Sequence, residues 1–279
     1  MNRDLQEVIL IMERRHGRDV SRYHESFLAK SLQKRLLATG SQDGGAYGRH
    51  LDQNPGEGLA LWRTLQNTYS EFFRDPLTFV ILEQRVLPAL VREMDQAERS
   101  EIRIWSAGCA AGQEAYSVAI LLEDLAAEGR GGPDYRIFAT DIDEGQLEAG
   151  RQGRYDQDAL QKVRSRHLRA YFQLQGQALQ IIPRIRARVD FSTHDLLDQR
   201  PVSPPASIYG GFDLILCSNL LFYYRPDLQR AILDKALRGL RPGGYLVTGQ
   251  AERDLVEQCG ALRAVAVPPP VFRLVPARR

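Results

Sequence analysis

The sequence predicts an α/β protein with a doubly wound, mostly parallel sheet and a preceding all-helical domain. Its carboxy-terminal part alternates short apolar strands with helical runs, which favours right-handed strand–helix–strand units. Its amino-terminal part shows only helical spacing of apolar residues, with no alternating β-branched stretch. We therefore expect a helical domain over residues 1–97 and a sheet domain over residues 98–279.

Helical spacing dominates the first domain. Apolar residues recur at three- and four-residue steps over 5–12 and again over 23–36. A further helix is predicted over 75–94, since Asp75 can cap it and Pro76 fits its first turn.

The second domain is expected to hold seven strands, each a short apolar run that ends in a turn. They are 102–106, 135–140, 189–193, 212–217, 245–248, 262–267 and 271–275. Helices are predicted at 114–127, 144–151 and 226–240. Gly243-Gly244 is interpreted as a turn. Residues 171–188 alternate in a way that predicts a small β-excursion.

Composition restricts the function classes. Of 279 residues, 43% are hydrophobic and 26% charged, which is typical of a folded domain rather than a disordered chain. The net charge of +2 is too balanced to indicate a nucleic-acid partner. No apolar run reaches the roughly 18 residues of a membrane span, and the amino terminus lacks a signal core, so we expect a cytoplasmic protein. The three cysteines are too scattered for a zinc site or disulfide framework, and no metal is expected.

The turn after the first predicted strand carries the strongest local signal. Residues 107–112 (AGCAAG) have almost no side-chain bulk, so a ligand can approach the backbone and the next helix's N-terminus closely. Glu114 would face a cationic ammonium, and Asp141 would face ribose hydroxyls. The pair favours a nucleoside with a positively charged amino-acid tail, a description that S-adenosylmethionine meets. The alternative is a tight turn that binds nothing.

Polar residues also follow two other strands that lead to the same sheet edge. Asn219 follows strand 212–217, which is expected beside the first strand, where it can face the ligand or simply form a turn. Tyr223 and Tyr224 are candidates to line a reaction site, with core packing as the alternative, favoured for Tyr224. Asp195 ends the third strand, where an adenine ring can be contacted.

Taken together, these segments resemble the chemotaxis receptor methyltransferases, the CheR family. The matching stretches are GRDVSRYHESFLAKSLQKRL, FFRDP, WSAGCAAGQEAYS, ATDID, FDLILCSN followed by YY, and LRPGGYL. The resemblance covers nearly the whole chain and implies a Rossmann-like class I methyltransferase fold. It further implies transfer of a methyl group from S-adenosylmethionine to glutamate side chains of chemoreceptor cytoplasmic domains.

The resemblance also implies roles for individual residues. Cofactor contacts are implied for Thr68, Ser70, Arg74, Ala107, Gly108, Glu114, Asp141, Asp195, Leu196, Asn219 and Leu220. Arg74 and Tyr223 are implied in catalysis. An ionised glutamate is already a nucleophile, so the site needs to orient it and exclude water rather than supply a general base.

A local basic run indicates a partner. Residues 14–35 hold seven basic and two acidic side chains, a pattern that by itself usually marks a solvated helix face. With the resemblance, docking on the acidic helical bundle of a chemoreceptor is expected. The basic residues are Arg14, Arg15, Arg18, Arg22, Lys30, Lys34 and Arg35. We expect no nucleic-acid partner, no membrane insertion and a monomer.

Departures from the family pattern leave alternatives open. Ser218 stands where arginine is usual, which supports an S-adenosylmethionine-binding regulatory or adaptor protein without catalysis. A methyltransferase with another protein or a small molecule as substrate is a further hypothesis. The presence of Arg74 and Tyr223 favours an enzyme. The β-excursion is shorter than in members that dock on a receptor's tether peptide, so tether binding is not expected.

Overall fold

The structure, a computed structural model, describes residues 3–66, 69–127, 134–198, 200–207 and 211–275. It divides into two compact units. One comprises Met1–Asn67 with Leu221–Arg230, and the other comprises Thr68–Leu220 with Ala231–Arg279. The first boundary between the two units therefore falls between residues 67 and 68, whereas the sequence predicted it between 97 and 98.

The helical unit is built around four helices. They are α1 (Arg3–His16), α2 (Glu25–Thr39), α3 (Gly44–Gln53) and α4 (Pro55–Leu65). Asp43 caps α3 by accepting a 2.7 Å hydrogen bond from the backbone N–H of Ala46. Gly40 ends α2 in the left-handed conformation with φ of 68°. The apolar stripes of these helices form one buried core with Tyr23 and Trp62.

Residues 221–230 belong to this helical unit, although in sequence they follow a strand of the sheet unit, Phe212–Cys217. Tyr23 and Tyr224 stack with ring centroids 5.6 Å apart and an interplanar angle of 15°. The backbone N–H of His24 donates to the carbonyl of Tyr223 at 2.7 Å.

The segment between residues 69 and 97 packs with the sheet unit instead. The helix predicted over 75–94 is present as α5 (Pro76–Ile81), a π-helical turn (Leu82–Val86) and α6 (Leu87–Gln96). Phe72 and Leu90 lie in the same buried cluster as residues of the large sheet. Helical spacing identifies the face that is buried, but not the partner that covers it, which is why the sequence boundary was placed too late.

The rest of the sheet unit alternates strands and helices. The strands are β1 (Ile102–Ala107), β2 (Tyr135–Asp141), β3 (Arg154–Tyr155), β4 (Phe172–Gln175), β5 (Ala178–Ile181), β6 (Val189–Thr193), β7 (Phe212–Cys217), β8 (Leu240–Thr248), β9 (Leu262–Ala264) and β10 (Val271–Leu274). The remaining helices are α7 (Gln113–Ala127), α8 (Glu144–Gln152), α9 (Ser165–Tyr171), α10 (Pro183–Arg186), α11 (Pro226–Gly239) and α12 (Arg253–Glu257).

Seven strands form the large sheet in the order β6-β2-β1-β7-β8-β10-β9. The pairs from β6 to β8 are parallel, while β10 runs antiparallel to both β8 and β9. The predicted doubly wound, mostly parallel fold is confirmed. Since β1 lies between β2 and β7, the chain order reverses at β1, and ligands of such sheets bind where the strand order reverses.

Two smaller expectations meet different outcomes. A small antiparallel sheet, in the order β3-β5-β4, contains the hairpin predicted within 171–188 and adds a strand from further upstream. The turn predicted at Gly243-Gly244 is wrong, because β8 runs through it, with an irregular register against Phe212 and Leu214 of β7.

No helix in the ranges given above combines the length and the apolarity that a membrane span requires.

Candidate functional site

The turn between β1 and α7 holds its backbone in conformations that favour glycine. Gly108, Ala110 and Gly112 have φ values of 73°, 47° and 87°. The N–H of Gly108 donates to the carbonyl of Thr140 at 2.8 Å, which fixes the turn against the end of β2. A Cβ at Gly108 would lie 3.1 Å from Cδ2 of Leu220, so this glycine lets two chain segments approach closely.

The last glycine of the turn serves packing. A Cβ at Gly112 would lie 2.7 Å from the Phe191 ring of β6, and one at Gly150 of α8 would lie 2.4 Å from the same ring. The structure thus assigns one of the two glycines in residues 107–112 to contact between helix and sheet.

Asp141 ends β2 with its carboxylate held by the backbone N–H groups of Ala110, Ile142 and Asp143. Ala110 donates to Oδ2 at 2.9 Å, and Asp143 donates to Oδ1 at 3.0 Å. Burial raises the pKa of Asp141, although these hydrogen bonds act in the opposite direction. A carboxylate has about four acceptor positions, so at least one remains to accept from a hydroxyl group. Asp143 itself caps α8 by accepting from the backbone N–H of Gly145 at 2.8 Å.

Glu114 lies in the first turn of α7, where it meets the ends of β1 and β7. The Ser106 hydroxyl donates to its Oε1 at 2.9 Å, and the Ser218 side chain also hydrogen-bonds its carboxylate. Burial, with a smaller contribution from the charge of Glu252, raises the pKa of this carboxyl to about 7. The hydrogen bonds from the two serines and the charge of Arg74 act in the opposite direction. A cation bound here would favour the ionised form.

The exit of β7 is held by a residue that the sequence analysis did not identify. Asn219 is left-handed, with φ of 59°. Its N–H donates to Oε2 of Glu252 at 3.0 Å, and the N–H of Leu220 donates to Oε1 at 2.7 Å. Gly249 has no side chain, so only the glutamate half of a capping box forms, in which Glu252 accepts from the N–H of Gly249. A glutamate three residues after a glycine at the end of a strand was the available signal.

The exit of β6 reaches the same edge of the sheet. The backbone N–H of His194 donates to the carbonyl of Asp141 at 3.0 Å. Asp195 accepts from the N–H of Leu197 through Oδ1 at 2.9 Å, and Leu196 is buried. The fully buried Lys235 of α11 donates to the carbonyl of Asp195 at 3.2 Å and so supports this loop.

Arg74 precedes α5 and is half-buried. Its Nη1 donates to the carbonyl of Tyr69 at 3.3 Å, and the guanidinium lies 5.2 Å from the centre of that ring. Its charge acts on Glu114, as noted above. Ser70 is half-buried nearby in the chain, whereas Thr68 lies outside the described residues.

Tyr223 and the basic run belong to the helical unit. The Tyr223 ring lies 4.6 Å from the Phe27 ring, centroid to centroid. Lys30 and Lys34 are exposed on α2, one helical turn apart. In contrast, Arg35 is largely buried and forms a bidentate pair with Glu57, with N–O distances of 2.8 and 2.7 Å.

Other members of the basic run also have intramolecular contacts. Arg14 and Arg15 both pair with Asp52, at 3.3 and 2.8 Å. Arg18 stacks over Trp62 at 4.6 Å, and Arg22 donates to the carbonyl of Asp19 at 2.9 Å.

The strand-order reversal, the small-residue turn and the two acids define a nucleoside-binding α/β fold of the class I methyltransferase type. A family model described as "CheR methyltransferase, SAM binding domain" matches residues 68–266. The chain belongs to the CheR methyltransferase family, and its cofactor is S-adenosylmethionine. The matched region begins where the sheet unit begins.

Relatives match this chain over different shares of their own length, and two of them are named chemotaxis protein methyltransferases. Chemotaxis protein methyltransferase 1 of Pseudomonas aeruginosa is 37% identical over 185 residues, 65% of this chain and 64% of that protein. The chemotaxis protein methyltransferase of Borreliella burgdorferi is 28% identical over 89% of this chain and 87% of that one. A 104.1 kDa protein of Rhodobacter capsulatus is 30% identical over 82% of this chain, which spans only 23% of its length.

The residues present fit the cofactor. Gly108 has no side chain and lies against Leu220, and the carboxylate that ends β2 keeps an acceptor position for a hydroxyl group. At Glu114, a carboxyl whose pKa is about 7 lies at the crevice with no cation bonded to it in the contacts described, so an ammonium group would stabilise its charge.

Proposed function

We propose that this protein is a protein-glutamate O-methyltransferase that transfers the methyl group of S-adenosylmethionine to glutamate side chains of chemoreceptor cytoplasmic domains. The observation that carries the proposal is the pair of carboxyls, Glu114 and Asp141, at the strand-order reversal of a CheR-family sheet. The names of the P. aeruginosa and B. burgdorferi relatives support a chemotaxis role.

The cofactor contacts follow from the chemistry of each side chain. Glu114 binds the ammonium of the amino-acid tail, and Asp141 accepts from the ribose hydroxyls. Asp195 and Leu196 flank the adenine, where a buried apolar side chain covers the ring face. The remaining proposed contacts are Thr68, Ser70, Arg74, Ala107, Gly108, Asn219 and Leu220.

The protein itself contributes no covalent step to this reaction, because the cofactor supplies the methyl group and the substrate supplies the nucleophile. The bound cofactor supplies a methyl group on a positively charged sulfonium. The substrate glutamate is ionised at neutral pH and needs no base, so the residues of this chain orient it and exclude water. Charge on both reactants is lost along the reaction, so one positioning cation, Arg74, serves better than a strong anion-binding pocket. The proposal assigns Tyr223 a catalytic role on the family resemblance of its sequence segment.

Receptor docking is assigned to the basic run of the helical unit. Lys30 and Lys34 are exposed on α2. Arg14, Arg15 and Arg18 are exposed as well, but the first two pair with Asp52 and the third stacks over Trp62. Acidic receptor helices would be attracted to them at low ionic strength. The proposal places the protein in the cytoplasm, where receptor signalling domains lie, and needs only a monomer.

Ser218 favours a second candidate. This serine hydrogen-bonds Glu114 and occupies the position where the family usually has an arginine. The position therefore supplies no cation. An S-adenosylmethionine-binding regulatory protein without turnover would retain the cofactor contacts and lack transfer.

One experiment separates these candidates. The full chain is incubated with methyl-labelled S-adenosylmethionine and purified receptor cytoplasmic domains, and the receptor is tested for label that mild base releases. Base-labile label supports the proposal, and its absence from a receptor with its exposed glutamates changed to alanine is the control. Cofactor binding without label on any receptor supports the regulatory candidate. Base-stable label on another acceptor contradicts glutamate esterification.

A further inference from the structure

Glu252 is a carboxylate buried within the sheet unit, with 2% of its surface exposed. It lies after β8 and accepts hydrogen bonds from three backbone N–H groups. These are Gly249 at 2.6 Å, Asn219 at 3.0 Å and Leu220 at 2.7 Å. Burying a charged group is costly unless hydrogen bonds compensate it, and these three donors supply that compensation.

Two of these donors are consecutive residues of the β7 exit. With Asn219 in the left-handed conformation, its N–H and that of Leu220 both reach one carboxylate. Successive N–H groups in such a turn form a concave site for an anion. A left-handed non-glycine residue costs about 1 kcal/mol or more and persists only where its surroundings hold it. Glu252 provides that restraint.

Gly249 makes this approach possible. A Cβ at this position would lie 2.9 Å from the backbone nitrogen of Asn219 and 3.0 Å from Oε2 of Glu252. A larger residue would separate the turn after β8 from the exit of β7. The arrangement therefore joins two chain segments through one side chain.

We propose that Glu252 is a positioning residue of the cofactor site, which holds Asn219 and Leu220 in the conformation that contacts S-adenosylmethionine. The inference rests on the proposed cofactor roles of those two residues. Leu220 also packs over Gly108 of the β1 turn, so a shift of the β7 exit would disturb both sides of the crevice. The charge of Glu252 reaches Glu114 as well, and raises the pKa of that carboxyl.

The test compares Glu252→Gln with Glu252→Asp in the full chain. Binding of S-adenosylhomocysteine is measured by calorimetry from pH 6 to 9, together with thermal unfolding of the ligand-free protein. Glu257→Gln is the matched control, since that glutamate is exposed on α12 and outside the site.

For Glu252→Gln we expect about 10–100-fold weaker binding, the usual effect of losing charge-assisted hydrogen bonds. We also expect the pH midpoint of binding to fall, because a negative charge near Glu114 is gone. A purely structural residue would not move that midpoint. Glu252→Asp keeps the charge and should keep the midpoint near the wild-type value, while Glu257→Gln should leave both affinity and midpoint unchanged.

Wild-type affinity and an unmoved midpoint in Glu252→Gln would overturn the proposal. If that variant does not fold, Gly249→Ala pushes the same two segments apart and should also weaken binding, and unchanged binding by this variant would equally refute the inference. Because the readout is cofactor binding, a wild-type protein that binds S-adenosylhomocysteine but labels no receptor would count against the proposed function alone.

Discussion

The hydroxyl of Ser106 donates a 2.9 Å hydrogen bond to the carboxylate of Glu114, and burial raises the pKa of that carboxyl to about 7. A raised pKa leaves the site protonated in part at neutral pH. An ammonium group prefers the ionised carboxylate, so its binding must displace a proton. Cofactor affinity is thereby linked to pH.

We predict that affinity for S-adenosylhomocysteine rises by up to about tenfold per pH unit below the pKa of Glu114 and levels off above it. Calorimetry in buffers of different ionisation enthalpy should also detect proton release near pH 6.5. In Glu114→Gln the affinity should be weaker, and this pH dependence should vanish. A flat wild-type profile between pH 6 and 8 would show that Glu114 is ionised before binding.

Ser218 tunes the same equilibrium. Its hydrogen bond stabilises the carboxylate and lowers the pKa of Glu114 against the effect of burial. Ser218→Ala should therefore move the midpoint of cofactor binding to higher pH, with little change in affinity at pH 8.5. Ser165→Ala, at an exposed position on α9, provides the control. A midpoint that moved downward would mean that the serine does not stabilise the charge.

Much of this site is evident from the chain itself. Strands β6 and β7 were predicted to the residue, because each is a short run bounded by clear turns. A parallel sheet then places their exits and Asp141 at one edge, whatever the details of packing. Sequence reasoning succeeded where a local pattern of apolar residues and turns determines both the type of an element and its bounds.

Other features depend on contacts that no local pattern contains. The π-helical turn before α6 precedes Pro88, which has no N–H to continue the α-helical ladder, so the predicted single helix is interrupted there. Glu252 acts only because Gly249 brings two distant segments together. Arg35 was expected at a docking surface. Its ion pair with Glu57 could not be predicted, because it depends on how α2 packs against α4.

Arg74→Ala should lower methyl transfer to receptor glutamates by about 100-fold or more, since orientation of the reactants supplies much of the rate in such reactions. The variant should fold normally, because the guanidinium of Arg74 donates to the carbonyl of Tyr69, an exposed residue, rather than to a group in the core. Arg92→Ala, at an exposed arginine of α6, is the control. Initial rates of base-labile ester formation provide the measurement, and near-normal rates would remove Arg74 from the mechanism.

Arg35→Ala should destabilise the protein rather than only weaken docking. Burial opposes ionisation of Glu57, but hydrogen bonds from Arg35 and Tyr47 outweigh it and lower the pKa of this carboxyl. Removing the arginine leaves a buried charge without its cation, at a cost of about 3–5 kcal/mol. A lowered pKa stabilises the fold above the ordinary value of 4.5, so the difference should shrink as the pH falls through the lowered pKa.

Chemical unfolding from pH 3 to 8 measures this difference. Arg14→Ala is the comparison, because that side chain is 71% exposed and its pair with Asp52 should contribute less than about 1 kcal/mol. Equal destabilisation by the two variants would show that burial of the Arg35–Glu57 pair has no special weight.

The double substitution Lys30→Glu with Lys34→Glu should weaken binding to a receptor cytoplasmic domain without lowering the melting temperature. Both side chains are exposed on one face of α2, so the change reverses charge where acidic receptor helices are proposed to dock. Wild-type binding should also weaken as salt rises, because exposed charges are screened over about 8 Å at physiological ionic strength. The double substitution Arg49→Glu with Arg63→Glu changes the net charge equally at exposed positions outside the basic run. Equal loss of binding in the two double variants would mean that net charge alone, and not the face of α2, determines receptor association.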